Sequence, residues 1–553
     1  MPTASAPSPR SAAPVSLETE RTALARARSA TLDKLYRFAG ISGGGADEFA
    51  DEYIDAVVAG AIEQLQRELV VFGRIDDEHV WRIGLYGVDS GADQLVVDWR
   101  APFAGAFYQA RLADPMGLAQ RVTYVGCIDD LFIEDFSNGE VSGSSPLLTE
   151  LSRSRGTEMR TAVATLQSEQ DDLVRLAPTE RLVLRGGPGT GKTVVGLHRA
   201  AWLVYNDTRL TAGRILVIGP SDKFLRFVAA VLPTLGEARI TQTTFDRLLG
   251  PSTPAGSDER WLGVLDRFEA SLFRPAELRL GLKRVPEADI AERVERLRER
   301  PMPWRDRRKV FVAGLANQCG VSVGEAGRAT GDIWPAMSAR QAMARLRRRS
   351  TLVALGMDSE WIDEWCNTDV IDGAFADEVT ARFDGVPATY GHVIVDEAQD
   401  LSLLQLRAVM RRSDGLTLVG DDAQRSNPAG IGLGRAAQLL DGRSAVMATA
   451  YRMSAEIADW LNAHAAAHDI PAVELLGIRP TGRPVLDTRR VDVEGAAHDL
   501  RARWDNVAVI RAGAVWEHKG VEYDGVVVDA AGMDPSEMYL AASRAAHELV
   551  IAR

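Results

Sequence analysis

Arg185-Gly186-Gly187-Pro188-Gly189-Thr190-Gly191-Lys192-Thr193 lies between the apolar run Leu182 to Leu184 and a helix-compatible run from Val194 to Tyr205. Strand, glycine-rich turn and helix in that order predict a phosphate-binding loop. Phosphates are held by several converging backbone N–H groups, and only glycines let the chain curl that tightly at a helix N-terminus. Gly186, Gly191, Lys192 and Thr193 fit the spacing G-x-x-x-x-G-K-[ST] in full. In that pattern the backbone from Gly186 through Gly187, Pro188, Gly189, Thr190 and Gly191 cradles the phosphates. Lys192 reaches the β- and γ-phosphates, and Thr193 offers its hydroxyl to Mg²⁺.

Working outward, the same chemistry recurs at strand ends. His392-Val393-Ile394-Val395-Asp396-Glu397-Ala398-Gln399-Asp400 is an apolar run ending in two adjacent carboxylates. Asp396 suits Mg²⁺, and Glu397 suits the orientation and deprotonation of an attacking water. Leu416-Thr417-Leu418-Val419-Gly420-Asp421-Asp422-Ala423-Gln424 has the same form, with Gln424 suited to sensing a γ-phosphate. Arg452 and Arg544 are candidates to neutralise charge on a transferring phosphoryl group. Tyr451 offers a flat face for a base. Upstream of the loop, the amide of Gln170 complements the N6 and N7 edge of adenine.

At 553 residues the chain exceeds a single core, and about three to four domains are expected. Its apolar and charged fractions, 46% and 25%, are those of a globular protein. No apolar run reaches the ~20 residues of a membrane span, and the N-terminus has no signal-like pattern. Cys127, Cys319 and Cys366 form neither metal spacing nor a disulfide framework, which points to a reducing cytoplasm. A net charge of −13 opposes long-range attraction to nucleic acid.

Residues 1–16, rich in Pro, Ser and Ala, are expected to be a disordered leader. Helical patterns from Leu17 to Phe38 and Glu48 to Leu69, joined by a glycine-rich turn, predict an antiparallel hairpin, each arm roughly 35 Å long. Short β-branched runs over 71–150 predict a small β-rich segment; Asp98, Trp99 and Arg100 within it read as a buried tryptophan beside an ion pair. Residues 250–385 interrupt the βα rhythm with mainly helical patterns, including the basic run Arg345, Arg347, Arg348, Arg349 and the acidic stretch Asp363 to Asp377.

The ordered set of Gln170, the phosphate loop, Asp396 to Asp400, Gly420 to Gln424, Tyr451-Arg452, Lys519-Gly520-Val521-Glu522-Tyr523-Asp524 and the Arg544 segment resembles superfamily 1 helicases of the UvrD/Rep type. The resemblance implies an α/β fold of two RecA-like P-loop NTPase lobes with ATP between them. It also implies ribose contact by Glu522. The departures are specific. Gln424 is followed by Arg425-Ser426-Asn427-Pro428-Ala429-Gly430-Ile431-Gly432, without the aromatics on which such helicases stack bases. Gly219-Pro220-Ser221-Asp222-Lys223 replaces the threonine-rich strand-gripping motif. The chain between Arg452 and Lys519 is also too short for the large second-lobe insertion of duplex-unwinding relatives.

With the helical hairpin, Val71-Phe72-Gly73-Arg74-Ile75-Asp76, Val97-Asp98-Trp99-Arg100-Ala101-Pro102 and the first-lobe insertion, the chain resembles the HelD family, helicase-like ATPases that bind bacterial RNA polymerase. That resemblance implies a hairpin (17–70) entering the polymerase secondary channel and an insertion (250–385) entering the main channel. First-lobe parts lie at 151–249 and 386–445, and a shortened second lobe at 446–553. It implies ATP and Mg²⁺ as cofactors, release of polymerase from nucleic acid, weak or indirect DNA and RNA contact, and a cytoplasmic monomer. Protection from rifamycin-type antibiotics is a further activity of some relatives. Two other readings stand beside it: a DNA helicase or translocase in DNA repair, and a nucleotide-gated polymerase-binding protein with little hydrolysis.

Overall fold

The computed structural model describes residues 15–41, 70–91, 93–124, 130–146, 166–235, 237, 239–489 and 492–553. The second arm of the expected hairpin, its glycine-rich turn, most of the expected leader and Cys127 lie outside the described residues. The first arm is a helix, Leu17–Ile41. Two residues of the expected leader are built into the fold: Val15 packs against the core beneath this helix, and the Ser16 carbonyl accepts from Glu20 N.

Among the described residues the β-rich segment is one seven-stranded sheet. It is made of β1 (Val71–Asp76), β2 (Val80–Gly84), β3 (Val88–Ser90), β4 (Asp93–Asp98), β5 (Gln120–Tyr124), β6 (Leu131–Asp135) and β7 (Glu140–Ser142), in the order β3-β4-β2-β1-β5-β6-β7. The helix is fixed to it by a buried charge cluster. Glu20, fully buried, accepts from Arg74 at 2.7 Å, from Arg82 at 2.9 Å and from the Tyr124 hydroxyl at 2.5 Å, while Arg74 also forks onto Asp76. Burial alone would push the Glu20 carboxyl up, but these donors hold it below its ordinary value.

A second sheet is wholly parallel, in the order β10-β9-β13-β14-β8-β15: β8 (Arg181–Gly186), β9 (Ile215–Ile218), β10 (Thr241–Thr243), β13 (Tyr390–Val395), β14 (Ser413–Gly420) and β15 (Arg443–Met447). Its central strands are continuous apolar runs because helices cover both faces. The seven-stranded sheet shares a core with it. Trp99, fully buried, meets His198 of the helix Lys192–Asn206 edge-on at 5.2 Å, and Arg100 forks onto Asp98 while bonding Glu237 at 2.7 Å. The expected buried tryptophan and Asp–Arg pair are therefore present, as an anchor between two sheets.

The insertion has its own core, built on Trp261, Trp304, Trp334, Trp361 and Trp365. Its two ends meet at the root: Gly373 N donates to Pro251 O at 2.8 Å, and Asp372 accepts from Thr253 N at 2.7 Å. Besides helices it holds a hairpin, β11 (Leu278–Leu280) and β12 (Lys283–Val285), which the helical reading missed. Within it the stretch from Ala339 to Leu355, helical in pattern throughout, is broken into two helices, Ala339–Leu346 and Arg349–Ala354. At the break Arg347 turns its guanidinium onto the carbonyls of Trp365 and Thr368, and Arg349 pairs with Asp363, so much of the basic run is used internally.

Beyond the short pair β16 (Thr449–Ala450) and β17 (Leu476–Gly477), a smaller parallel sheet runs β18-β21-β20-β19: β18 (Leu486–Thr488), β19 (Val507–Arg511), β20 (Tyr523–Asp529) and β21 (Ala545–Ala552). Val507–Arg511 forms an edge of this sheet. Among the described residues no helix is long and apolar enough to cross a membrane.

Candidate functional site

β8 ends at Gly186, and the helix Lys192–Asn206 begins six residues later, with Gly189 (φ 70°) and Gly191 (φ 85°) in the left-handed region between them. Side chains are excluded as well as strained here. A Cβ on Gly186 would come within 2.8 Å of Thr190 Oγ1 and 2.9 Å of Met447 O, and one on Gly187 within 2.4 Å of Leu475. The loop is a cradle of bare backbone at a helix N-terminus, which is what a polyphosphate requires. Lys192 Nζ donates to Gly187 O at 2.6 Å, so the cation sits inside that curl.

Two strand ends converge beside it. Thr193 Oγ1 donates to Asp396 Oδ2 at 2.7 Å, joining the helix start to the end of β13. Burial, reinforced by the neighbouring Glu397 carboxylate, pushes the Asp396 carboxyl up to about 6. Paired hard oxygens of this kind suit Mg²⁺, with phosphate and water completing its shell. Among the described residues no group of three or more His, Cys, Asp or Glu is placed to hold a metal ion by itself. Glu397 occupies the left-handed region at φ 54°, rare for a residue with a side chain, and its N–H donates to Asp396 Oδ1 at 2.9 Å. Gln399 Nε2 donates to Glu397 Oε2 at 2.6 Å.

At the end of β14, Gln424 donates to Asp421 Oδ2 at 2.8 Å and accepts from Arg544 Nη2 at 2.7 Å. Arg544 follows the helix Pro535–Ala542 of the smaller-sheet unit, so this bond crosses between the two parallel sheets. Burial draws the Arg544 pKa down, against the surrounding Glu522, Glu397 and Asp421. Other links cross the same cleft. Tyr451 N and Arg452 N donate to Gly189 O at 3.0 and 3.3 Å, and Lys519 Nζ donates to Asp400 at 2.6 Å and to Gln424 O at 2.8 Å. Arg452 pairs with Glu522 at 3.0 Å, and both line a small cleft with Gly189, Met453 and Ser543.

The residues chosen for adenine are close together but otherwise engaged. Gln170 Nε2 donates to Thr190 O at 3.2 Å, and its Oε1 accepts from Gln167 N in a capping box. The Tyr451 hydroxyl donates to Glu169 Oε1 at 2.6 Å, and the ring is only 9% exposed. All the candidates from the sequence thus lie along one cleft. Sequence reasoning missed Gln399, Asp400, Asp421 and Lys519 as parts of it, although all four stand inside the quoted motifs.

The model for the N-terminal domain of DNA helicase IV HelD matches residues 15–126, and an AAA domain model matches residues 170–429. The chain thus carries a HelD-type N-terminal domain ahead of a P-loop AAA domain. It is a helicase-like P-loop ATPase, with the N-terminal match covering the docked helix and strands β1 to β5 and the AAA match covering the phosphate loop through Gln424. No curated protein matches the chain significantly. Similar solved structures include an arterivirus nonstructural protein 10 helicase in complex with DNA, at 11% identity and a TM-score of 0.32 over 68% of this chain and 61% of that one. The same arterivirus helicase crystallised alone gives 11% and 0.28 over 70% and 62%, and the PRRSV helicase gives 10% and 0.28 over 69% and 54%. The HelD-type chain spans about six tenths of the length of these helicases.

Proposed function

We propose that the chain hydrolyses ATP with Mg²⁺ and uses the cycle to release bacterial RNA polymerase from nucleic acid. In this reading the loop from Gly186 to Gly191 and Lys192 hold the phosphates, and Thr193 and Asp396 hold Mg²⁺, which would neutralise charge on the phosphates. Glu397 orients and deprotonates water. Gln424, Arg452 and Arg544 meet the γ-phosphate, while Gln170, Tyr451 and Glu522 hold the nucleoside. The units are a leader (1–14, with Val15 and Ser16 already packed at the root of the probe), a hairpin probe (17–70), a small β-rich segment (71–150), two RecA-like lobes (151–249 with 386–445, and 446–553) and an insertion (250–385). The protein works as a cytoplasmic monomer.

The observation that carries the polymerase reading is the HelD N-terminal match over 15–126, in a chain whose first helix is clamped at its base by Glu20. A probe needs a rigid root, and three donors on one buried carboxylate supply it. The segment after Gln424 supports the same reading. Ser426 and Asn427 cap Asp400, and the stretch carries no aromatic on which a base could stack. An acidic protein also suits a positively lined polymerase channel.

The test is capture of core RNA polymerase by the full chain and by a variant whose residues 42–69 are replaced with a glycine-serine linker of equal length, which leaves the Glu20 anchor intact. Capture by the full chain and its loss in the variant are expected. Failure of the full chain to bind polymerase, with strong stimulation of ATP turnover by single-stranded DNA, would favour the repair translocase. Polymerase binding without turnover would favour the nucleotide-gated alternative.

A further inference from the structure

Gln399 is fully buried and uses both ends of its amide across two different strand ends. Its Nε2 donates to Glu397 Oε2 at 2.6 Å, and its Oε1 accepts from Asp421 N at 3.1 Å. The first bond is the short one to Glu397 Oε2, which Lys519 Nζ also faces at 3.4 Å, and among the described residues Glu397 Oε1 has no hydrogen-bond partner; the second fixes the turn that presents Gln424, because the Asp421 carboxylate holds Gln424 Nε2 at 2.8 Å. Gln424 in turn accepts from Arg544 of the other sheet unit. One amide thus joins the carboxylate after β13 to the sensor after β14. A glycine makes room for it: a Cβ on Gly420 would fall 2.2 Å from Gln399 Oε1.

We propose that Gln399 is a positioning residue for ATP hydrolysis, holding the Glu397 carboxylate in register with Gln424 so that base and γ-phosphate sensor move as one piece. This rests on the reading of Glu397 as the residue that orients the attacking water. The reason for a neutral amide is specific. Glu397 must keep an acceptor oxygen aimed at water while standing in a left-handed backbone conformation, and a carboxylate at the end of three side-chain torsions has other rotamers available. A donor on its second oxygen removes that freedom. An aspartate or glutamate at 399 could not donate when ionised, and an apolar residue could not donate at all.

The test compares Gln399→Met, Gln399→Ala, Gly420→Ala, the double variant Gln399→Ala/Gly420→Ala and Glu397→Gln, measuring kcat and, separately, the equilibrium affinity for a fluorescent ATP analogue. Misplacing the base should cost about 10- to 100-fold in kcat for Gln399→Met. Nucleotide affinity should stay within about twofold, because the lost contact acts in the reaction and not in ground-state binding. Gly420→Ala should reproduce this by displacing the amide, and the double variant should be no worse than Gln399→Ala, since the new methyl fills vacated space. Wild-type kcat in Gln399→Met, affinity falling in step with kcat, or multiplying losses in the double variant would overturn the proposal. Glu397→Gln separates the two levels. If it turns over normally, the reading of Glu397 falls and the inference with it; if it is inactive while Gln399→Met is normal, only the inference falls.

Discussion

Replacing Glu378 with glutamine should unfasten the insertion from the nucleotide-binding sheet, at a cost that can be worked from its surroundings. Glu378 is fully buried and binds Arg382 at 2.9 Å, Arg407 at 3.1 Å and Arg411 at 2.6 Å, while neighbouring Asp377 holds Arg411 and Arg412. Three of these arginines, 407, 411 and 412, belong to the helix Leu403–Arg412, which begins three residues after Asp400. Burial alone would raise the Glu378 carboxyl, but the Arg407 hydrogen bond and the charges of Arg411, Arg407 and Arg382 hold it at about 2, from 4.5. That preference for the charged form is worth about 3 kcal/mol at about 1.4 kcal/mol per decade. Since Arg407 is 42% exposed and solvent screens its share, about 2 to 3 kcal/mol is the expected loss. The buried tryptophans of the insertion make intrinsic fluorescence during urea unfolding a direct assay. The sign with pH is fixed. The stabilisation is full above pH 4.5 and fades as pH falls from 4.5 towards 2, so the gap between wild type and Glu378→Gln should narrow in acid. A gap below about 1 kcal/mol at pH 7, or one that widens on acidification, would refute the reasoning.

Three further outcomes are expected. His198 and His392 are buried as neutral rings, with burial drawing their pKa values down to about 4 and about 3, so stability should be full above pH 6.5 and fall below it. The loss should reach about 1.4 kcal/mol per pH unit for each ring, seen as a falling Tm between pH 6.5 and 5 that is reduced in His392→Gln. Lys192→Ala should abolish binding of a fluorescent ATP analogue, whereas Glu397→Gln should keep binding and lose turnover by about 100-fold or more, measured as phosphate release. Glu20→Ala removes the carboxylate shared by Arg74, Arg82 and the Tyr124 hydroxyl, leaving buried Arg74 with Asp76 alone, at a cost of about 3 kcal/mol. Hydrogen exchange should then speed up across Leu17–Ile41 while the phosphate loop keeps its protection.

What could be read in advance was local. The phosphate loop, the carboxylates after β13 and the glutamine after β14 are each written in a few consecutive residues, because a strand end and a tight turn constrain their own sequence. What could not be read depends on partners far away in the chain. Nothing around Trp99 announces that it will meet His198, and nothing around Lys519 names Asp400 as its acceptor. The break at Arg347 follows from carbonyls twenty residues on, against a local sequence that favours continuous helix. The hairpin β11–β12 is legible in part. Leu278-Arg279-Leu280 alternates apolar and basic residues ahead of a glycine whose φ is 58°, a strand period and a turn signal inside a region of helical period. At the cleft, Gln170 and Tyr451 were chosen for the edges and faces they could offer a base. Their bonds to Thr190 and Glu169 tie them into the protein itself.

The central claim is that this ATPase acts on a polymerase and not along a strand. It is tested most directly by following a fluorescent nucleic-acid scaffold bound to stalled RNA polymerase after addition of the chain and ATP, beside the same scaffold free in solution. Loss of scaffold from the polymerase, with the free duplex left intact, is the predicted result. An undisturbed polymerase complex, or ATP-driven unwinding of the free duplex, would contradict it.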